Sequence, residues 1–89
     1  MKILAVCGMG FGSSLILKLN IQAALKELGR TDIEVEHCDL TTARGTRCDA
    51  IVVAADLAEN VQQIGVPVIS LANVMAKSEL KTKLAAFLG

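Results

Sequence analysis

The run Ile3-Leu4-Ala5-Val6 leads straight into Cys7-Gly8-Met9-Gly10-Phe11-Gly12-Ser13-Ser14, and no other segment constrains the fold as tightly. Four apolar residues that stop at a glycine-rich loop describe a strand buried on both faces, the habit of parallel sheets covered by helices. From Ser13 or Ser14 to Leu28 no glycine or proline intervenes, and Gly29 supplies a stop, so a helix should follow the loop. The alternation continues. Ile33 to Glu36 reads as a second strand, more exposed on one side, and Ala50 to Ala54 as a β-branched third. Val66 to Ser70 reads as a fourth, with Pro67 suited to an edge. Ser78 to Leu88 is a last helix, Leu57 to Gln63 a shorter one, and Thr41 to Arg47 is ambiguous.

Strands alternating with helices require right-handed crossovers and a parallel sheet. The expected architecture is a single α/β domain over residues 1–89, an open four-stranded sheet in the order 2-1-3-4. Helices cover both faces, as in flavodoxin- and Rossmann-like three-layer folds. In such sheets ligands bind beyond the carboxyl ends of the strands, at the point where the strand order reverses. Cys7 follows the strand at that point.

The loop has the parts to hold a phosphoryl group. Glycines at 8, 10 and 12 let the backbone approach an anion, and converging N–H groups can cradle it. The N-terminus of the following helix faces the same spot, and its dipole favours a thiolate at Cys7. Ser13 and Ser14 can cap that helix or donate hydroxyls to phosphate oxygens. Two nucleotide-binding signatures fail: no lysine follows Gly12, and Gly-x-Gly-x-x-Gly breaks at Ser13 in one register and at Leu15 in the other. A cysteine phosphatase of Cys-x5-Arg type needs an arginine where Ser13 stands, so the loop suits holding phosphate better than hydrolysing it.

Composition narrows the alternatives. Nine basic residues balance nine acidic ones, and Phe11 and Phe87 are the only aromatics. A neutral chain without an aromatic platform is a poor nucleic-acid binder. No apolar stretch reaches the length of a membrane span, and the first run is too short for a signal peptide. Three cysteines, Cys7, Cys38 and Cys48, lack metal-like spacing with His37 and suit a reducing cytosol. No metal or organic cofactor is called for. Cys38 and Cys48 read as structural, and His37 as a surface or satisfied histidine. Asp56 reads as a helix cap before a tuner of Cys7. Arg44 and Arg47 would meet a phosphate only if their loop folded toward Cys7.

In the first helix, Leu17, Ile21, Ala24, Leu25 and Leu28 share one face and form the core stripe. Leu15, Ile16, Leu19 and Ala23 fall on the other side. They either pack on a neighbouring helix or, with Met9 and Phe11, make an apolar docking rim around the thiol. Docking is favoured for Met9, Phe11, Leu15 and Leu19.

Cys7 to Ser14 after Lys2-Ile3-Leu4-Ala5-Val6 resembles the IIB component of the phosphoenolpyruvate-dependent sugar phosphotransferase system. The likeness is greatest to the ascorbate type, in a superfamily shared with the lactose/cellobiose and galactitol types. It is specific over about the first 30 residues, and Asn73 matches a loop asparagine of the family. The resemblance implies a cytoplasmic phosphocysteine relay. Cys7 would take phosphate from a phosphohistidine IIA partner and pass it to a sugar bound by a membrane IIC partner. Two readings stand beside it: a low-molecular-weight cysteine phosphatase relative, and a phosphate- or anion-binding regulatory module.

Overall fold

In the computed structural model, the described residues are 1–6, 11–72 and 76–88; of these, residues 11–14 and 56 are described in backbone alone. Four strands, β1 (Lys2–Val6), β2 (Glu34–Cys38), β3 (Ala50–Ala54) and β4 (Val68–Leu71), form one sheet in the order β2-β1-β3-β4. All three pairings are parallel. The crossovers carry α1 (Phe11–Glu27), α2 (Leu40–Gly45), a 3-10 turn (Ala55–Leu57) leading into α3 (Ala58–Gln62), and α4 (Lys77–Leu88). The order and layering expected from the sequence are those observed.

Side-chain alternation along the strands divides the core in two. Ile3, Ala5, Val35, Ala50, Val52, Ile69 and Leu71 face one layer, where Leu17, Ile21, Ala24 and Leu25 of α1 meet Leu80 and Leu84 of α4. Leu4, Val6, Ile51 and Val53 face the other, with Ala43 of α2 and Val61 of α3. The anticipated core stripe of α1 is the buried one, with Leu28 packed at its end. Aliphatic side chains fill this core, with Phe87 at its margin.

Local chemistry sets the helix ends. Gly29 takes φ +75, Arg30 N–H donates to Leu25 O at 2.8 Å, and Gly29 N–H donates to Lys26 O at 3.1 Å. This is a Schellman motif, which needs a left-handed residue where the chain leaves α1. A Cβ at Gly29 would meet nothing within 4 Å. Gly29→Ala should therefore destabilise through backbone conformation alone, by about 1 kcal/mol in a denaturant titration.

The ambiguous segment Thr41 to Arg47 contains α2. Its N-cap is Asp39, whose carboxylate accepts the Thr42 N–H at 2.7 Å. That bond from the Thr42 backbone holds the Asp39 carboxyl below the usual carboxylate range. A pKa lowered in the folded state stabilises it while the carboxylate is charged. The contribution is present at neutral pH and lost as the pH falls through the carboxylate range. Asp39→Asn should keep a capping oxygen but flatten this part of the acid-unfolding profile.

Pro67 immediately precedes β4 instead of lying inside it, and β4 is an edge strand as anticipated. At the other end of the sheet, Lys2 N–H donates to Asp49 Oδ2 at 2.7 Å, and Asp49 N–H donates to Lys2 O at 2.8 Å. This pair ties the start of β3 to the start of β1.

Candidate functional site

Each helix follows a parallel strand, so α1 and α4 both begin at the carboxyl edge of the sheet, side by side on one face. The strand order reverses at β1, whose neighbours are β2 and β3. β1 ends at Val6, level with Cys38 on one side and Val53 on the other. The N-terminus of α1 starts five residues later, at Phe11. Its first turn carries no acidic residue, which would oppose an anion at the positive end of the dipole, and Lys26 lies in its last turn. A 17-residue helix has a fully developed macrodipole, and its unpaired N–H groups make this edge receptive to an oxyanion or thiolate.

Cys7, Gly8, Met9 and Gly10 lie outside the described residues, as does Asn73. Phe11, Gly12, Ser13 and Ser14 form the first turn of α1, two or three residues earlier than the expected helix start at Ser13 or Ser14. This corrects two expectations. Neither serine is the N-cap, since both stand inside the helix, and the last four residues of the motif are helical.

Leu15 and Leu19 are on the surface of α1, 44% and 54% exposed, and Ile16 at 43% joins them. They are not covered by α4, which packs along the core side of α1. Of the two roles open to these side chains, burial against a neighbouring helix is excluded for these three. Ile16 belonged to the same apolar set in the sequence but was not among the side chains favoured for docking, and its exposure adds it to them.

The remaining residues sort by edge. Arg47 precedes β3 and so stands at the amino edge, opposite the end of β1. Arg44 lies in the last turn of α2 and lines a shallow depression with Gln63 and Ile64, where α2 and α3 finish. Their loop does not fold toward the carboxyl edge. Asp56 falls in the 3-10 turn, whose N-cap is Ala54, while the N-cap of α3 is Leu57. Asp56 therefore occupies neither cap position, against expectation. His37 is half-buried in β2, level with Ala5.

Cys38 and Cys48 are free thiols, half-buried against the α2/α3 layer. Burial pushes both thiols up, assisted by the neighbouring Asp39 carboxylate for Cys38 and Asp49 for Cys48. Both stay protonated at neutral pH and are poor nucleophiles. Among the described residues no group of His, Cys, Asp and Glu is arranged to hold a metal ion, and no helix is long and apolar enough to cross a membrane.

Comparison with known proteins agrees with this geometry. The chain is 26% identical over 91 residues to the "Ascorbate-specific PTS system EIIB component" of Mycoplasma pneumoniae, covering 99% of this chain and 95% of that protein. Its fold matches the lactose-specific IIB component domain of the phosphotransferase system from Streptococcus pneumoniae. The TM-score is 0.65 at 17% identity, over 99% of this chain and 94% of that one. The family model described as "PTS system, Lactose/Cellobiose specific IIB subunit" matches residues 2–86. The chain therefore belongs to the lactose/cellobiose-type IIB family and is a IIB component of a sugar phosphotransferase system.

Proposed function

We propose that Cys7 is the phosphoryl carrier of this IIB component. The observation that carries the reading is the coincidence of three features at one place. The strand order reverses at β1, Cys7 follows the last residue of β1, and a 17-residue helix starts there without an acidic first turn. Half-buried Cys38 and Cys48, by contrast, sit in surroundings that disfavour the thiolate.

The relay has two steps. In the first, the Cys7 thiolate attacks the phosphorus of a phosphohistidine on a IIA partner. The S–P bond forms as the N–P bond breaks, and the imidazole leaves. In the second, a hydroxyl of the sugar held by a membrane IIC partner attacks the same phosphorus. The S–P bond breaks, the thiolate is regenerated, and the hydroxyl proton passes to solvent. Transfer of this kind needs positioning and charge stabilisation more than proton chemistry. The N–H groups of Gly8, Met9, Gly10, Phe11, Gly12, Ser13 and Ser14 would be the donors to the phosphoryl oxygens, with the two serine hydroxyls in support.

Both partners must reach the same thiol in turn. Leu15, Ile16 and Leu19 are exposed on α1, and with Met9 and Phe11 they would make the apolar rim on which the partners dock. The chain would work on the cytoplasmic side and meet the membrane through IIC. The sugar is then chosen by IIC, and no selectivity residue is needed here.

The test is to incubate the protein with phosphorylated IIA and map the label by peptide mass spectrometry. Phosphate on Cys7 supports the relay. Phosphate on His37, or label that persists in Cys7→Ser, refutes it.

A further inference from the structure

Two side chains of α4 stand in for a missing fifth strand beside β4. Ile51 N–H donates to Pro67 O at 3.0 Å, so residues 67, 69 and 71 turn their main-chain groups toward β3. Residues 70 and 72 turn theirs outward, to the free edge. There the Lys83 ammonium donates to the Ser70 carbonyl, and the Ala72 N–H donates to Glu79 Oε2 at 3.3 Å. Lys83 and Glu79 are one turn apart and 3.4 Å from each other.

A neighbouring residue opposite Leu71 in a parallel ladder would make the same two bonds. It would donate to the carbonyl of residue 70 and accept from the N–H of residue 72. The ion pair thus supplies one residue's worth of ladder. It does so at the last residue of β4, where the chain departs.

That departure point borders the site. Ser70 is level with Val53, and Val53 with Val6. Ala72 therefore stands two residues, or about 7 Å, past the end of β1 and roughly 10 Å across from it, with only β3 between. A four-residue strand paired on one side frays easily at its end, and the latch opposes this.

We propose that Glu79 and Lys83 are positioning residues for phosphoryl transfer, holding the end of β4, from Ser70 to Ala72, in place at the carboxyl edge. This rests on the relay reading of Cys7. Small misplacements of groups around a reacting phosphoryl are costly to rate, while a docking surface on α1 is left untouched.

The test compares Glu79→Ala and Lys83→Met with Glu79→Gln, which keeps an acceptor, and Lys83→Arg, which keeps a donor. Single-turnover transfer from phosphorylated IIA is followed well below the unfolding temperature, alongside amide exchange at Ala72. For the first two variants, exchange at Ala72 should accelerate about tenfold and transfer at saturating IIA should slow about tenfold. The half-saturating IIA concentration should not change. The conservative pair should recover most of both. Faster exchange with an unchanged transfer rate would overturn the proposal and leave the pair as edge cover. A loss confined to IIA affinity, or to thermal stability, would overturn it too. Wild-type protein that takes no phosphate on Cys7 would instead sink the relay reading, and the positioning role with it.

Discussion

Replacing Cys7 with serine is expected to lower phosphoryl acceptance from IIA by at least about a thousandfold. A serine hydroxyl has nearly the same size, so the backbone around it is undisturbed. What it lacks is an accessible anion, because the helix dipole that can ionise a thiol cannot ionise an alcohol at neutral pH. Cys38→Ser and Cys48→Ser are the matched controls. Their thiols are pushed up by burial and lie in the α2/α3 layer, so both variants should accept phosphate at close to the normal rate. A pH series adds a second check. Alkylation of Cys7, resolved by mass from the other two thiols, should plateau at lower pH than that of Cys38 or Cys48. Equal alkylation profiles would remove the electrostatic basis of the assignment.

The second large effect separates the two faces of α1. Leu17 is 1% exposed and packs with Ile21 and with Leu80 and Leu84 of α4. Leu17→Ala should cost about 2–5 kcal/mol by chemical denaturation, since it removes buried methyl groups and leaves a cavity. For a domain whose total stability is on the order of 5–15 kcal/mol, that is a large share. Leu19, two residues on and 54% exposed, should change stability by no more than about 0.5 kcal/mol when truncated. Its effect should appear in transfer instead. Leu19→Ala should raise the IIA concentration needed for half-maximal phosphorylation while leaving the saturated rate unchanged. A reversal of the two profiles would mean that the apolar rim belongs to the fold and not to docking.

These contrasts show what a reading of the residues could and could not reach. Strand order was legible because continuous apolar runs such as Ala50–Ala54 and Ile3–Val6 suit only a sheet covered on both sides. The buried stripe of α1 was legible from its period. The start of that helix was not, because Gly12 is a poor helix former and only its place within the first turn makes it tolerable. α2 was hidden by two threonines and a glycine, although Asp39 three residues before Thr42 was a usable cap signal. For the site, the proposed nucleophile and its glycines are contiguous in sequence, so local chemistry sufficed to nominate them. The latch could not be foreseen. Glu79 and Lys83 look like an ordinary i,i+4 surface pair, and their partners Ala72 and Ser70 are main-chain groups that no pattern of side chains marks. Arg44 and Arg47 were similarly undecidable until the path of the chain between β2 and β3 was known.

The all-aliphatic interior has an optical consequence. With no tryptophan or tyrosine anywhere in the chain, the protein is almost dark at 280 nm and emits no indole fluorescence. An indole introduced as Leu19→Trp would glow against an empty background, from a position that the core does not touch. Its emission would shift to the blue only when something apolar settled over it. Encounters with successive partners could then be followed in real time by the change in that emission as each is added.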